Sequence, residues 1–129
     1  MSLSLLNNSE SIKVIVAEDE PLIAWMLEDA LSGMGLEVVG PFATVAEAST
    51  CAMSEEPQLA VLDVDLADGA VYPLADALYK KNVPIIFHTA NTDRVDLKGR
   101  YDGSCVVLKP SNVTKLQSVV EDACSRLTS

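Results

Sequence analysis

The sequence predicts an α/β fold, a doubly wound sheet of five parallel strands with helices on both faces. Two observations carry it. Short apolar runs alternate with segments of helical period, as in a parallel sheet buried on both sides. Several of those runs also end on charge: Ala17 leads into Glu18-Asp19, Leu62 into Asp63 and Leu108 into Lys109. With 129 residues, the chain has the size of one domain and buries enough surface to need neither disulfides nor a structural metal.

The runs at 12–17, 37–40, 58–63, 83–88 and 104–109 are the strand candidates. The first helix spans about 21–34, with Pro21 at a first-turn position and Gly35 suited to the C-terminal cap. Leu22, Ile23, Met26, Leu27, Ala30, Leu31 and Met34 form its inner stripe, opposite Trp25, Glu28, Asp29 and Ser32. Thr44 and Glu47 have the spacing of a capping box and open the second helix. A third runs over roughly 70–81 and stops at Asn82-Val83-Pro84. The last covers about 112–127, with Val113, Leu116, Val120, Ala123 and Leu127 inward. Between Thr89 and the fifth strand, residues 91–103 offer only Val95, Leu97 and Tyr101 for burial, so a short or frayed helix is expected there.

Composition excludes several classes. Nine basic against nineteen acidic residues leave a net charge of -10, so the chain lacks the basic face that a duplex-binding domain needs. The same repulsion disfavours an anionic membrane, and no run reaches the length of a membrane span. A divalent cation or a basic partner is favoured. Cys51, Cys105 and Cys124 match no metal spacing and read as small buried hydrophobes of a reducing, cytoplasmic setting. Residues 1–11 have no secretory character and read as a polar tail or an expression remnant, leaving 12–129 as the domain.

Ligands of open parallel sheets sit beyond the carboxyl ends of the strands, where strand order reverses. If the first and third strands are neighbours there, Glu18, Asp19 and Asp63 converge. Clustered carboxylates with no soft ligand nearby suit Mg²⁺. An aspartate beside that ion can attack a phosphoryl group and carry it covalently, while Lys109 and the Thr89 hydroxyl meet the phosphoryl oxygens. Taken singly, these residues have plainer roles. A lone strand-terminal aspartate more often caps a loop, Glu18-Asp19 suit the first turn of a helix, and Lys109 alone would be a solvated lysine. His88 is expected to be a satisfied structural residue on the face away from Thr89, without a role in the chemistry.

In this order, the residues make the chain resemble a response-regulator receiver domain over essentially all of 12–128. Glu18-Asp19 stand where that family has its acidic pair, Asp63 where it has its phosphoacceptor, and Thr89-Ala90 where it has Ser or Thr before a small residue. Lys109-Pro110 match its lysine and the following proline, whose peptide bond is usually cis. The resemblance implies a flavodoxin-like three-layer sandwich of strand order 2-1-3-4-5 and a metal site completed by the backbone carbonyl of Asp65. It further implies phosphoryl transfer from a histidine kinase or histidine phosphotransfer protein, output through protein contacts, and no turnover enzyme. No output segment follows the last helix, so the expectation is a stand-alone receiver or a piece of a longer kinase or regulator.

Two departures matter. The family's switch aromatic lies three residues before the lysine, where this chain has Val106, and the stretch from Thr89 to Lys109 is short. Output is therefore expected to work through ordering of 91–103. Asp63-Val64-Asp65 also resembles the nucleophile motif of haloacid-dehalogenase-like phosphatases. That family carries its nucleophile on the first strand and its metal-binding acids late, the reverse of the order here.

Overall fold

The computed structural model describes residues 11–90 and 97–128. Its main sheet contains β1 (Lys13–Ala17), β2 (Glu37–Phe42), β3 (Leu59–Leu62), β6 (Ile85–Thr89) and β7 (Cys105–Leu108), all parallel, in the order β2-β1-β3-β6-β7. Counting the long strands alone, this is the expected 2-1-3-4-5. The helices are α1 (Pro21–Gly33), α2 (Val45–Glu55), α3 (Tyr72–Lys80), α4 (Leu97–Arg100) and α5 (Val113–Thr128).

Alternation along the strands divides the core into two layers. Ile15, Leu62 and Phe87 point to the side of α2 and α3, whereas Val14, Val16, Val61 and Ile86 point to the side of α1 and α5. On the inner strands β1, β3 and β6 both faces are buried, which is why these strands read as continuous apolar runs.

Local chemistry sets the helix ends. Pro21 opens α1, and Thr44 accepts from the amide of Glu47, one half of the capping box expected at α2, while the Glu47 carboxylate accepts from the Thr44 hydroxyl at 3.1 Å in place of its amide. Gly35 has φ +86, the left-handed geometry that favours glycine after a helix.

Several expectations need correction. Leu22 is 76% exposed, not part of the buried stripe. It lies in the first turn of α1, which the chain enters straight from the carboxyl edge of the sheet. Val113 and Leu127, in the first and last turns of α5, are partly exposed for the same kind of reason, while Leu116, Val120 and Ala123 are buried. Of the cysteines only Cys124 is buried; Cys51 and Cys105 are half-buried. The third helix starts later than expected because a small antiparallel hairpin, β4 (Asp65–Leu66) with β5 (Gly69–Ala70), precedes it.

β2 also runs on past Gly40, through a bulge opposite β1 between Ile15 and Ala17. Gly40 has φ +105, and a Cβ there would come within 2.8 Å of the Val16 carbonyl oxygen, so glycine alone fits. The Gly40–Pro41 bond is cis, as is Lys109–Pro110. The expected weak helix over 91–103 is the four-residue α4, with Leu97 and Tyr101 fully buried. Residues 91–96, Val95 among them, and the tail over residues 1–10 lie outside the described residues.

Candidate phosphoacceptor site

The order β2-β1-β3 places the switch point between β1 and β3, and the acids collect there. The amide of Asp63 donates to the Ala17 carbonyl at 2.9 Å, and that of Glu18 donates to the Phe42 carbonyl at 2.8 Å. These backbone bonds hold the ends of β3 and β2 on either side of the end of β1. One oxygen from each of Glu18, Asp19 and Asp63 then lies within 4.8 Å of the others. Glu18 and Asp63 are buried, and Asp19 is exposed. An all-oxygen carboxylate set of this kind fits a hard divalent cation.

Lys109 reaches in from the far side of the sheet. Its Nζ lies 3.0 Å from Asp63 Oδ2, in a hydrogen-bonding direction. It is 2.7 Å from Glu18 Oε1, a close ion pair. Burial works to lower the pKa of the lysine, but the two carboxylates outweigh it and hold the ammonium above its usual range. Burial raises the pKa of Glu18, aided by the nearby Asp63 charge and opposed by Lys109. Lys109 is therefore a fixed positive charge between two buried acids.

Thr89 ends β6, is buried, and pairs in register with Leu108 on β7, while its carbonyl accepts from the Lys109 amide at 2.9 Å. The amide of Asp65 donates to Asp63 Oδ1 at 3.3 Å, which turns the chain back over the acid. Every residue expected at the site thus stands at a strand end or in the loop that follows it.

Other residues join them unannounced by the sequence. Asp68, at the tip of the β4–β5 hairpin, accepts from the amides of Val45 at 2.7 Å and Ala46 at 3.2 Å. These bonds hold its carboxyl below the usual carboxylate range. His88 lies within 2.9 Å of the Ser111 hydroxyl through Nε2, and it lines a cavity of about 360 Å³ with Ile23, Met26, Lys109, Pro110 and Ser111. It is buried and bonded as expected, but this puts it against the loop that carries Lys109. A Ser111–His88 contact spans 23 positions, and neither residue carries a local signal of it.

This fold and this cluster define a response-regulator receiver domain, and the chain belongs to that family, whose model, described as the response regulator receiver domain, matches residues 14–121. The phyllosphere-induced regulator PhyR of Methylorubrum extorquens is 34% identical over 114 residues, 86% of this chain and 43% of that protein. The transcriptional regulatory protein PdtaR of Mycobacterium tuberculosis is 30% identical over 118 residues, 88% of this chain and 57% of that one. The chain thus spans about half the length of these curated relatives. Among solved structures, the PhyR receiver domain of Erythrobacter litoralis matches with a TM-score of 0.79 and 32% identity, covering 91% of this chain and 92% of that one. PhyR of Brucella abortus matches at 0.77 and 30%, covering 95% of this chain and 52% of that one. The family match leaves the haloacid-dehalogenase-like alternative without support. Among the described residues, no helix is long and apolar enough to cross a membrane.

Proposed function

We propose that Asp63 accepts a phosphoryl group from a phosphohistidine on a histidine kinase or histidine phosphotransfer protein, and that the domain signals in this phosphorylated form without turning over a substrate. The observation that carries the proposal is Asp63 held 3.0 Å from Lys109, within a cluster of acids at the sheet's switch point. Glu18, Asp19, Asp63 and the carbonyl of Asp65 would hold Mg²⁺, which supplies the charge neutralisation an incoming phosphate requires. Asp63 Oδ attacks phosphorus as the bond to the donor's histidine nitrogen breaks. Lys109 and Thr89 take the phosphoryl oxygens, Lys109 as a charge that burial has not switched off.

The net charge of -10 fits a protein donor with a basic rim and disfavours nucleic acid or an anionic membrane as partner. Cytoplasmic signalling suits such a domain. PhyR of Bartonella quintana, 28% identical, is described as an anti-anti-sigma factor; this chain covers 54% of it. What the two share is the receiver portion, so the downstream partner is a protein of unassigned identity.

Incubation with a phosphorylated histidine phosphotransfer domain and Mg²⁺ tests this. One phosphate per chain is expected, and none in Asp63→Asn or in excess chelator. Full labelling of that variant would sink the assignment.

A further inference from the structure

We propose that His88 and Ser111 form a positioning pair that fixes the turn carrying Lys109 and thereby sets the rate at which Asp63 gains and loses phosphate. The inference rests on the phosphoacceptor function just given and concerns residues outside that machinery.

The end of β6 holds the Lys109 segment on both sides of Pro110. On the near side, Thr89 pairs with Leu108, and its carbonyl accepts from the Lys109 amide at 2.9 Å. On the far side, the imidazole of His88 meets the Ser111 hydroxyl at 2.9 Å. Removing that contact leaves the turn held from one side. Lys109 has little slack to absorb the change, because its ammonium must stay within reach of Glu18 at 2.7 Å and Asp63 at 3.0 Å. Displacements of an ångström or less at a phosphoryl-transfer site carry large rate penalties.

The surroundings suit a positional task. His88 is 1% exposed, and Ile23, Met26 and Pro110 line the space beside its ring. Burial, followed by the charge of Lys109, pushes its pKa down to about 4. A neutral ring adds no second cation beside Lys109 and takes no share of the phosphoryl charge. Its Nδ1 is buried with no hydrogen-bond partner among the described residues. Keeping an unsatisfied nitrogen at a strand end costs stability that an apolar side chain would not, and the bond to Ser111 is what the imidazole gains there.

The full chain is incubated with Mg²⁺ and acetyl phosphate, a small donor that requires no protein docking, and acquisition and decay of the phosphoryl group are timed. Ser111→Ala lies in a loop and leaves the core intact. It is expected to slow acquisition about tenfold and to change the decay rate, with a small fall in the thermal midpoint from the unpaired His88 Nε2 and no loss of the folded baseline. Ser111→Thr retains the hydroxyl and is expected to stay within about twofold of the unsubstituted chain. Adding His88→Phe to Ser111→Ala should cause no further slowing, as for two halves of one contact. Ser111→Ala within twofold of the unsubstituted chain, or additive losses in the double variant, overturns the pair. If the unsubstituted chain takes phosphate neither from acetyl phosphate nor from a phosphohistidine, the phosphoacceptor function itself fails. The two failures are thus distinguishable.

Discussion

The Tyr101 hydroxyl donates to the Asp76 carboxylate at 2.6 Å and fastens the four-residue α4 to α3. Arg100 reinforces the joint, donating to the same carboxylate at 3.0 Å and lying 4.6 Å from the centre of the Tyr72 ring. The Tyr101 ring packs against Phe87, whose partner on β7 is Val106. An aromatic group is thus present in this layer, though supplied from position 101 and not from 106. Burial, followed by the Asp76 bond, raises the Tyr101 pKa. The short helix expected over 91–103 is thus four residues long and is anchored through the two apolar residues available to it there, Leu97 and Tyr101; residues 91–96 fall outside the described residues.

Tyr101→Phe keeps the ring and removes the bond, at an expected cost of about 1–2 kcal/mol in denaturant unfolding. Tyr101→Ala empties a core position and should cost about 3–5 kcal/mol. Equal losses in the two variants would assign the whole effect to the hydroxyl and none to the ring.

Stability should depend on His88 between pH 6.5 and about 4. The unfolded imidazole takes up its proton near 6.5, whereas the folded one resists until about 4. The unfolded state then binds more protons in this window, so the His88 contribution is fully present above it and is lost as pH falls. Glu18, held above its usual 4.5, works in the opposite sense because the folded state is protonated first. The two are separated by comparison with His88→Phe, whose pH profile should lack the acid-side loss. Parallel profiles would mean that the histidine is not the group responsible.

Asp68→Ala should expose the amides of Val45 and Ala46, which now donate to its carboxylate. Hydrogen exchange at both positions is expected to accelerate, with Ala48 and Ala52 deeper in α2 nearly unchanged. Uniform acceleration through α2 would show that the cap holds the whole helix and not only its first turn.

Trp25, 64% exposed on α1, should be quenched by acrylamide about as readily as tryptophan in a short peptide. On binding the phosphorylated donor, it should become protected if α1 meets that partner. Protection in the free chain would place the ring in a contact the helix phase does not give.

The long strands and the acids at their ends were legible because a parallel sheet buried on both faces leaves unbroken apolar runs, and charge interrupts them only where the sheet stops. The first turns of α1 and α5 were misjudged because periodicity reports which way a residue points, not whether a neighbour lies there; Leu22 is the clearest case. The β4–β5 hairpin, two residues on each side, is too short for any period. Asp68 and Ser111 find partners 23 positions away, and such distances are set by the assembled sheet and not by neighbouring sequence.

The bulge at Gly40 has a consequence for how the molecule behaves among its copies. β2 is one border of the sheet, and borders invite a foreign strand to add on. Here the border bends at the bulge, and Pro41, with no N–H, cannot donate to a newcomer. With a charge of -10 repelling each neighbour, that side of the sheet is a poor template for aggregation.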